Sequence, residues 1–143
     1  MTNRSGRCLC GAVSFHLNAE PLFVRICWCR DCQRISGNGT VNLLVTSDAL
    51  EISGQTSEFV RMADSGNKII HRFCPRCGIQ LFANSPARAQ FTVLRAGTLD
   101  DPSSVQPKVN IWSGSAPVWA CIDPALERVE KQPAPPQAPS QHK

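Results

Sequence analysis

The stretch Cys74-Pro75-Arg76-Cys77-Gly78 decides how the fold is interpreted, because it has the spacing of a zinc knuckle. In a knuckle, two thiolates meet one metal ion and the glycine relieves the tight backbone behind them. Two buried free cysteines are one alternative, and a thioredoxin-type redox pair, which needs a βαβ context, is another. A structural zinc takes four ligands, so a knuckle requires two more from elsewhere in the chain.

The natural complement is the Cys8-Leu9-Cys10 segment, which is followed by Gly11. In an extended segment, residues i and i+2 point to the same face, so both sulfurs can reach one ion. Such a pair is a weak signal alone, but it becomes a strong one beside a knuckle. We therefore expect these four thiolates to share one zinc.

A third cluster, Cys27-Trp28-Cys29-Arg30-Asp31-Cys32, carries three thiols within six residues. Three protein ligands are typical of an open, catalytic-type zinc whose fourth position takes water or a substrate atom. A protein ligand would close the site instead, and the candidates for that role are His16, His71 and Cys121. Of these, Cys121 in an apolar run is predicted to be a buried thiol. The spacing alone also permits a swapped pairing, in which this cluster shares a metal with Cys8 or Cys10.

The composition fits one globular domain of 143 residues, with 42% hydrophobic and 18% charged side chains. The N-terminal segment 1–7 has no apolar stretch, so we expect no secretory signal, reduced thiols and a cytoplasmic location. The sequence contains no run of about 18 apolar residues, so it does not predict a membrane span. The formal charge of +4 is mild and no basic run is interleaved with aromatics, so nucleic acid is not indicated as a partner. Nothing in the sequence indicates the oligomeric state.

Short runs of alternating or β-branched residues predict an all-β domain over residues 1–131. The predicted strands are Ala12–Leu17, Thr40–Thr46, Ala49–Ile52, Phe59–Met62, Lys68–Phe73, Phe91–Ala96, Lys108–Trp112 and Pro117–Ile122. Single helical turns are predicted at Arg30–Ser36 and Asp101–Val105, and a hairpin turn at residues 64–67. The proline-rich segment 132–143 cannot bury a core, so we expect a disordered or extended tail.

These motifs resemble the glutathione-dependent formaldehyde-activating enzyme family, which includes centromere protein V. The matching segments are Gly6-Arg7-Cys8-Leu9-Cys10-Gly11-Ala12-Val13, Cys27-Trp28-Cys29-Arg30-Asp31-Cys32-Gln33, Phe73-Cys74-Pro75-Arg76-Cys77-Gly78 and Arg95-Ala96-Gly97-Thr98-Leu99-Asp100-Asp101-Pro102. The resemblance spans about residues 6 to 130 and implies a zinc-bound, tent-like fold of short antiparallel sheets. It implies two zinc ions, one structural at Cys8, Cys10, Cys74 and Cys77 and one at Cys27, Cys29 and Cys32. The implied reaction is that of a carbon–sulfur lyase, which joins glutathione and formaldehyde into S-hydroxymethylglutathione.

The sequence departs from the family pattern at two positions. Trp28 and Asn110 stand where family members usually carry histidine. Neither change removes a thiolate, but each affects the expected pocket or proton transfer. The metal sites therefore transfer more directly than the substrate does.

A thiol-adduct reaction fits the third cluster, because a metal stabilises the thiolate form of a bound thiol. An anionic peptide such as glutathione would need donors, and the arginines near the clusters in sequence are Arg25, Arg30, Arg34 and Arg72. The sequence supplies no convincing general base, and Asp31 is a weak candidate.

Two other functions remain open at this point. A non-catalytic module would use both zinc ions only to hold the fold and would bind a protein or nucleic acid on its surface. A redox or metal-sensing switch would use three oxidisable thiolates at an open position. A protein ligand at the fourth position would favour the structural module, whereas a water or an exogenous thiol would favour the enzyme.

Overall fold

A computed structural model describes residues 3–134. In chain order, the elements are β1 (Arg4–Arg7), β2 (Ser14–Leu17), β3 (Phe23–Cys27), α1 (Arg30–Ser36), β4 (Thr40–Thr46), β5 (Leu50–Ser53), β6 (Ser57–Met62), β7 (Lys68–Phe73), β8 (Gln80–Asn84), β9 (Phe91–Arg95), β10 (Val109–Ile111) and β11 (Glu127–Val129). Single turns of 3-10 helix lie between several of the strands. Within residues 3–134, no helix has the length and apolar character needed to cross a membrane.

The strands form two sheets. A three-stranded antiparallel sheet has the order β1-β2-β5, and an eight-stranded sheet has the order β11-β10-β3-β4-β9-β8-β7-β6. The larger sheet is antiparallel except where β10 runs parallel to both β3 and β11. The prediction of a mostly β fold built from antiparallel sheets is confirmed.

Several predicted elements have the bounds that the sequence indicated. Strands β4 and β7 and helix α1 match residue for residue. The predicted turn at residues 64–67 joins β6 to β7, closed by a hydrogen bond from the Ala63 amide to the Asn67 carbonyl. The segment predicted as a strand at Pro117–Ile122 is instead a turn followed by irregular backbone, so that prediction is wrong.

The core lies between the two sheets. Phe15 on β2 meets Phe82 on β8 edge to face, with ring centroids 5.6 Å apart. Leu43 and Leu94 are paired across β4 and β9 and are fully buried on the same side of the larger sheet. We call this side the core face.

The opposite side of the larger sheet carries Cys27, and we call it the cysteine face. Successive residues of a strand point to opposite faces, so Arg25 shares this face with Cys27. Register then adds Asn42, which lies opposite Arg25, and Arg95, which lies opposite Asn42. His71 lies on the same face. It pairs with Ala83, Ala83 pairs with Val93, and Val93 is two residues before Arg95 on β9. A row of polar and basic side chains therefore runs along the sheet beside the cysteines.

The C-terminal boundary stays a prediction. Residues 135–143 of the expected tail lie outside the described residues. Gln132, at its start, accepts a 3.0 Å hydrogen bond at Oε1 from the indole of Trp112.

Candidate metal centres

Two loops from different sheets bring the first four cysteines together. Cys8 and Cys10 lie in the loop between β1 and β2, and Cys74 and Cys77 lie in the turn between β7 and β8. That turn is closed by a 2.8 Å hydrogen bond from the Gly78 amide to the Cys74 carbonyl, with Gly78 at a φ of 78°. A side chain at this φ is strained, which explains the glycine of the knuckle.

The sulfur geometry of this cluster fits a tetrahedral zinc. All four ligand atoms lie within 4.8 Å of one another. The Sγ atom of Cys10 lies 3.7 Å from that of Cys8 and 3.7 Å from that of Cys74. Zinc–sulfur bonds of about 2.3 Å in a tetrahedron place their sulfurs about 3.8 Å apart. The donor set and its spacing are thus those of a closed zinc site.

Backbone amides also point at the sulfurs of this cluster. Val13 donates to Cys8 Sγ at 3.4 Å, and Arg76 and Cys77 donate to Cys74 Sγ at 3.4 and 3.5 Å. Such donors fix the orientation of the sulfurs toward a shared metal.

The second cluster forms where β3 passes into α1. Cys27 ends the strand, Cys29 is the N-cap of the helix and Cys32 lies in its first turn. The Cys29 sulfur accepts a 3.3 Å hydrogen bond from the Cys32 amide. Hydrogen bonds from Cys27 and Cys32 lower the pKa of the Cys29 thiol well below its usual range. The local structure therefore holds three sulfurs together, with one of them favoured as a thiolate.

This cluster has three candidate ligands and no fourth. Its three sulfurs lie within 4.8 Å of one another, and no other Cys, His, Asp or Glu of residues 3–134 joins them at that distance. The swapped pairing does not form, because the two groups are separate.

None of the three candidates for the fourth position reaches the cluster. His16 is exposed on β2, in the smaller sheet. His71 is buried on β7, where its Nδ1 faces the guanidinium of Arg95 at 3.4 Å. Cys121 is exposed, so the prediction that it is a buried thiol is wrong.

A polar chain, half-buried at Asn42 and buried at Arg95 and His71, adjoins the second cluster. The Asn42 amide nitrogen lies 3.8 Å from Cys32 Sγ, and its Oδ1 accepts a 2.8 Å hydrogen bond from Arg95. Arg95 continues the chain to His71. Since an arginine only donates, Nδ1 of His71 is the acceptor and the ring proton is on Nε2. Asn42 was not singled out from sequence, and Arg95 was quoted only within a family-matching segment and given no role. The cross-strand register places both beside the cluster.

The arginines proposed from sequence are distributed over different surfaces. Arg25 lies on the cysteine face, stacked 3.6 Å over the Phe23 ring. Arg72 lies on the opposite face and pairs with Glu58 at 3.4 Å. Arg30 donates to Gln33, and Arg34 is exposed in the last turn of α1. Of the four, only Arg25 has a position that suits a ligand at the second cluster.

Asp31, the weak candidate for a general base, forms an ion pair with Arg61 at 2.8 Å. The Arg61 guanidinium thus occupies a carboxylate oxygen that a general base would need free. The structure adds no support for a base at this position.

Both the sequence and the fold have counterparts among known proteins. The family model described as "Glutathione-dependent formaldehyde-activating enzyme" matches residues 3–115. The crystal structure of a Rhodobacter sphaeroides protein is similar in fold, with a TM-score of 0.52 and 23% identity over 72% of this chain and 91% of that one. No curated protein matches the sequence significantly.

Proposed function

This chain belongs to the glutathione-dependent formaldehyde-activating enzyme family, and we propose that it is a zinc-dependent carbon–sulfur lyase acting on a thiol adduct such as S-hydroxymethylglutathione. The observation that carries the proposal is the contrast between the clusters. Four cysteines close the first, whereas the second has three and no fourth candidate ligand among the described residues.

The two clusters would have different roles. Cys8, Cys10, Cys74 and Cys77 would hold a structural zinc that ties the β1–β2 loop to the β7–β8 turn. Cys27, Cys29 and Cys32 would hold a second zinc with one open position. When bound there, zinc would supply a Lewis acid that keeps the sulfur of a substrate thiol ionised.

The bond changes balance without an oxidant. In the synthetic direction, the thiol sulfur bonds to the carbon of formaldehyde and the carbonyl electron pair moves to oxygen. The proton that the thiol loses ends on that oxygen, which gives the hydroxymethyl group. In the lyase direction, the carbon–sulfur bond breaks and the aldehyde is released.

The chain's own residues would position the partners. The three cysteines fix the place of the reacting sulfur at the junction of β3 and α1. Arg25 precedes Cys27 by two residues on the same face and is half-buried, so it can bind a carboxylate of an anionic thiol. The same proposal places the protein in the cytoplasm, since seven ligand thiols require a reducing compartment.

Cobalt substitution tests the proposal directly. Cobalt in place of zinc has visible bands that respond to its ligands, so glutathione should change the spectrum saturably at the second site. S-methylglutathione, which has no ionisable thiol, should change it far less, and C29S should abolish the response. Exchange between formaldehyde and S-hydroxymethylglutathione, followed by NMR, should be faster with the zinc protein than without it. A spectrum indifferent to every small thiol would favour a non-catalytic zinc module instead.

A further inference from the structure

Arg95 is a buried cation without a carboxylate partner. The residue is 6% exposed, and its guanidinium donates to Asn42 Oδ1 at 2.8 Å and to His71 Nδ1 at 3.4 Å. Its Nε is buried and has no hydrogen-bond partner. Within residues 3–134, Arg4, Arg61 and Arg72 form ion pairs with carboxylates, but Arg95 does not.

The buried positive charge of Arg95 requires a negative charge nearby. Burying an isolated cation is costly unless an opposite charge lies nearby. Burial lowers the pKa of Arg95, and the negative charge of the Cys32, Cys27 and Cys29 sulfurs acts in the opposite direction. The cysteine cluster is therefore the anionic group that faces this arginine, with Asn42 between Arg95 and Cys32.

The formal charge of the site can be counted from its parts. A divalent ion with three thiolates carries −1, and the positive charge of Arg95 brings the sum of cluster and arginine to zero. An anionic fourth ligand then leaves a net charge of −1, whereas without Arg95 it would leave −2. Opposite charges attract strongly in a poorly hydrated site, so the arginine should raise the affinity for anionic ligands relative to neutral ones.

We propose that Arg95 is a specificity-determining positioning residue that makes the open position of the second cluster prefer an anionic ligand, a thiolate, over a neutral one. The inference rests on the proposed function, because it assumes a metal with an open position at Cys27, Cys29 and Cys32. The competing view is that Arg95 on β9 only stabilises the sheet, through its hydrogen bonds to Asn42 on β4 and His71 on β7. That view predicts a loss of stability with no change in ligand preference.

The test compares an anionic and a neutral ligand on the cobalt-loaded protein. Glutathione and imidazole are titrated separately into the wild type, R95M, R95K and R72M, and the cobalt bands are followed. R72M is the matched control, because Arg72 lies on the opposite face of the sheet. Circular dichroism and a metal count establish that each variant is folded and loaded.

The expected result is a selective change. R95M should weaken glutathione binding at least tenfold and change imidazole binding less than twofold, because only the anion interacts with the lost charge. R95K keeps the charge and should stay within about threefold of the wild type for both ligands. R72M should bind both as the wild type does. Equal losses for both ligands in R95M, or none, would overturn the inference.

A second neutral variant keeps the inference testable if R95M does not fold. R95Q keeps an N–H donor for Asn42 and His71 but loses the positive charge, so it should weaken glutathione binding and leave imidazole binding nearly unchanged. Equal losses for both ligands in R95Q would overturn the inference. If the wild type binds no thiol at all, the proposed function fails; if it binds glutathione and R95M binds it equally well, only the role of Arg95 fails.

Discussion

Trp28 donates a 3.0 Å hydrogen bond from its indole nitrogen to Oδ1 of Asn110. These are the two positions at which the chain departs from the histidines usual in its family, and they contact each other. Both side chains are buried. Asn110 lies opposite Ile26 on β3, whereas Ile111 lies opposite Cys27, so the pair lies behind the strand that carries the cysteine. The two departures therefore contact each other within the packing that supports the cluster.

The indole of Trp28 packs against Gly39, the residue before β4. A Cβ atom on Gly39 would lie 2.7 Å from Cε2 of Trp28, which is closer than side-chain contacts allow. A tryptophan, an asparagine and a glycine thus form one packed unit.

The first prediction is that N110A destabilises the fold and leaves the second cluster intact. The substitution leaves the buried indole N–H of Trp28 without an acceptor, which costs about 1–3 kcal/mol. Urea unfolding of the zinc-loaded protein measures the loss, and the exposed N38A is the control. Cobalt spectra with glutathione should match those of the wild type. A protein of unchanged stability that no longer responds to glutathione would show that Asn110 acts at the site.

The second prediction separates the two clusters. C74S should lower the unfolding free energy by several kcal/mol, because the closed site joins both sheets and metal-binding energy there is folding energy. C29S should remain folded, since its cluster lies at one strand end and one short helix. Native mass spectrometry should count two zinc ions in the wild type and one in C29S. Equal losses of stability in the two variants would mean that both metals are structural.

Much of the fold could be predicted from the sequence because its signals are local. The β-branched run of β4 and the short run of strand character at β7 predicted the bounds of both strands correctly. Strands β1, β3, β8 and β11 were missed. Arg4–Arg7 is polar, and the other three are short segments with little alternation. The run Pro117–Ile122 has strand composition, yet Val118 and Trp119 are exposed and no strand forms there.

The cysteine groups of the candidate site could be predicted from sequence, but the polar residues beside them could not. Ligand spacing is written into consecutive residues, so the two groups of cysteines could be predicted from sequence. Arg95 lies 63 positions after Cys32 and reaches it through Asn42, which makes it a matter of strand register. No local pattern carries that information.

The third prediction concerns pH and His71. Burial lowers the pKa of this imidazole, and the charge of Arg95 lowers it further. The folded state therefore binds fewer protons than the unfolded state below about pH 6.5, so the stability that His71 contributes is present above that pH and lost as the pH falls.

H71N isolates this contribution, because an amide oxygen can replace Nδ1 as the acceptor for Arg95. The difference in unfolding free energy between wild type and H71N should be constant above about pH 7. Below about pH 6.5 it should shift against the wild type by up to about 1.4 kcal/mol per pH unit. Comparison at each pH removes the effect of acid on the metal sites, which both proteins share. A difference that does not vary between pH 5 and 7 would show that His71 does not titrate in this way.

The last prediction uses two exposed thiols with different surroundings. Cys10 and Cys121 are both exposed, but Cys10 belongs to the four-sulfur cluster and Cys121 belongs to neither group. A thiolate held by zinc is a weaker nucleophile toward alkylating reagents than a free one. One equivalent of iodoacetamide should therefore modify Cys121 in the zinc-loaded protein and spare Cys10, and peptide mapping by mass spectrometry locates the label. C121S should take up almost no label until a chelator removes the metal, after which Cys10 becomes reactive. If Cys10 is alkylated as fast as Cys121 while zinc is bound, Cys10 is not a ligand and the four-cysteine site must be revised.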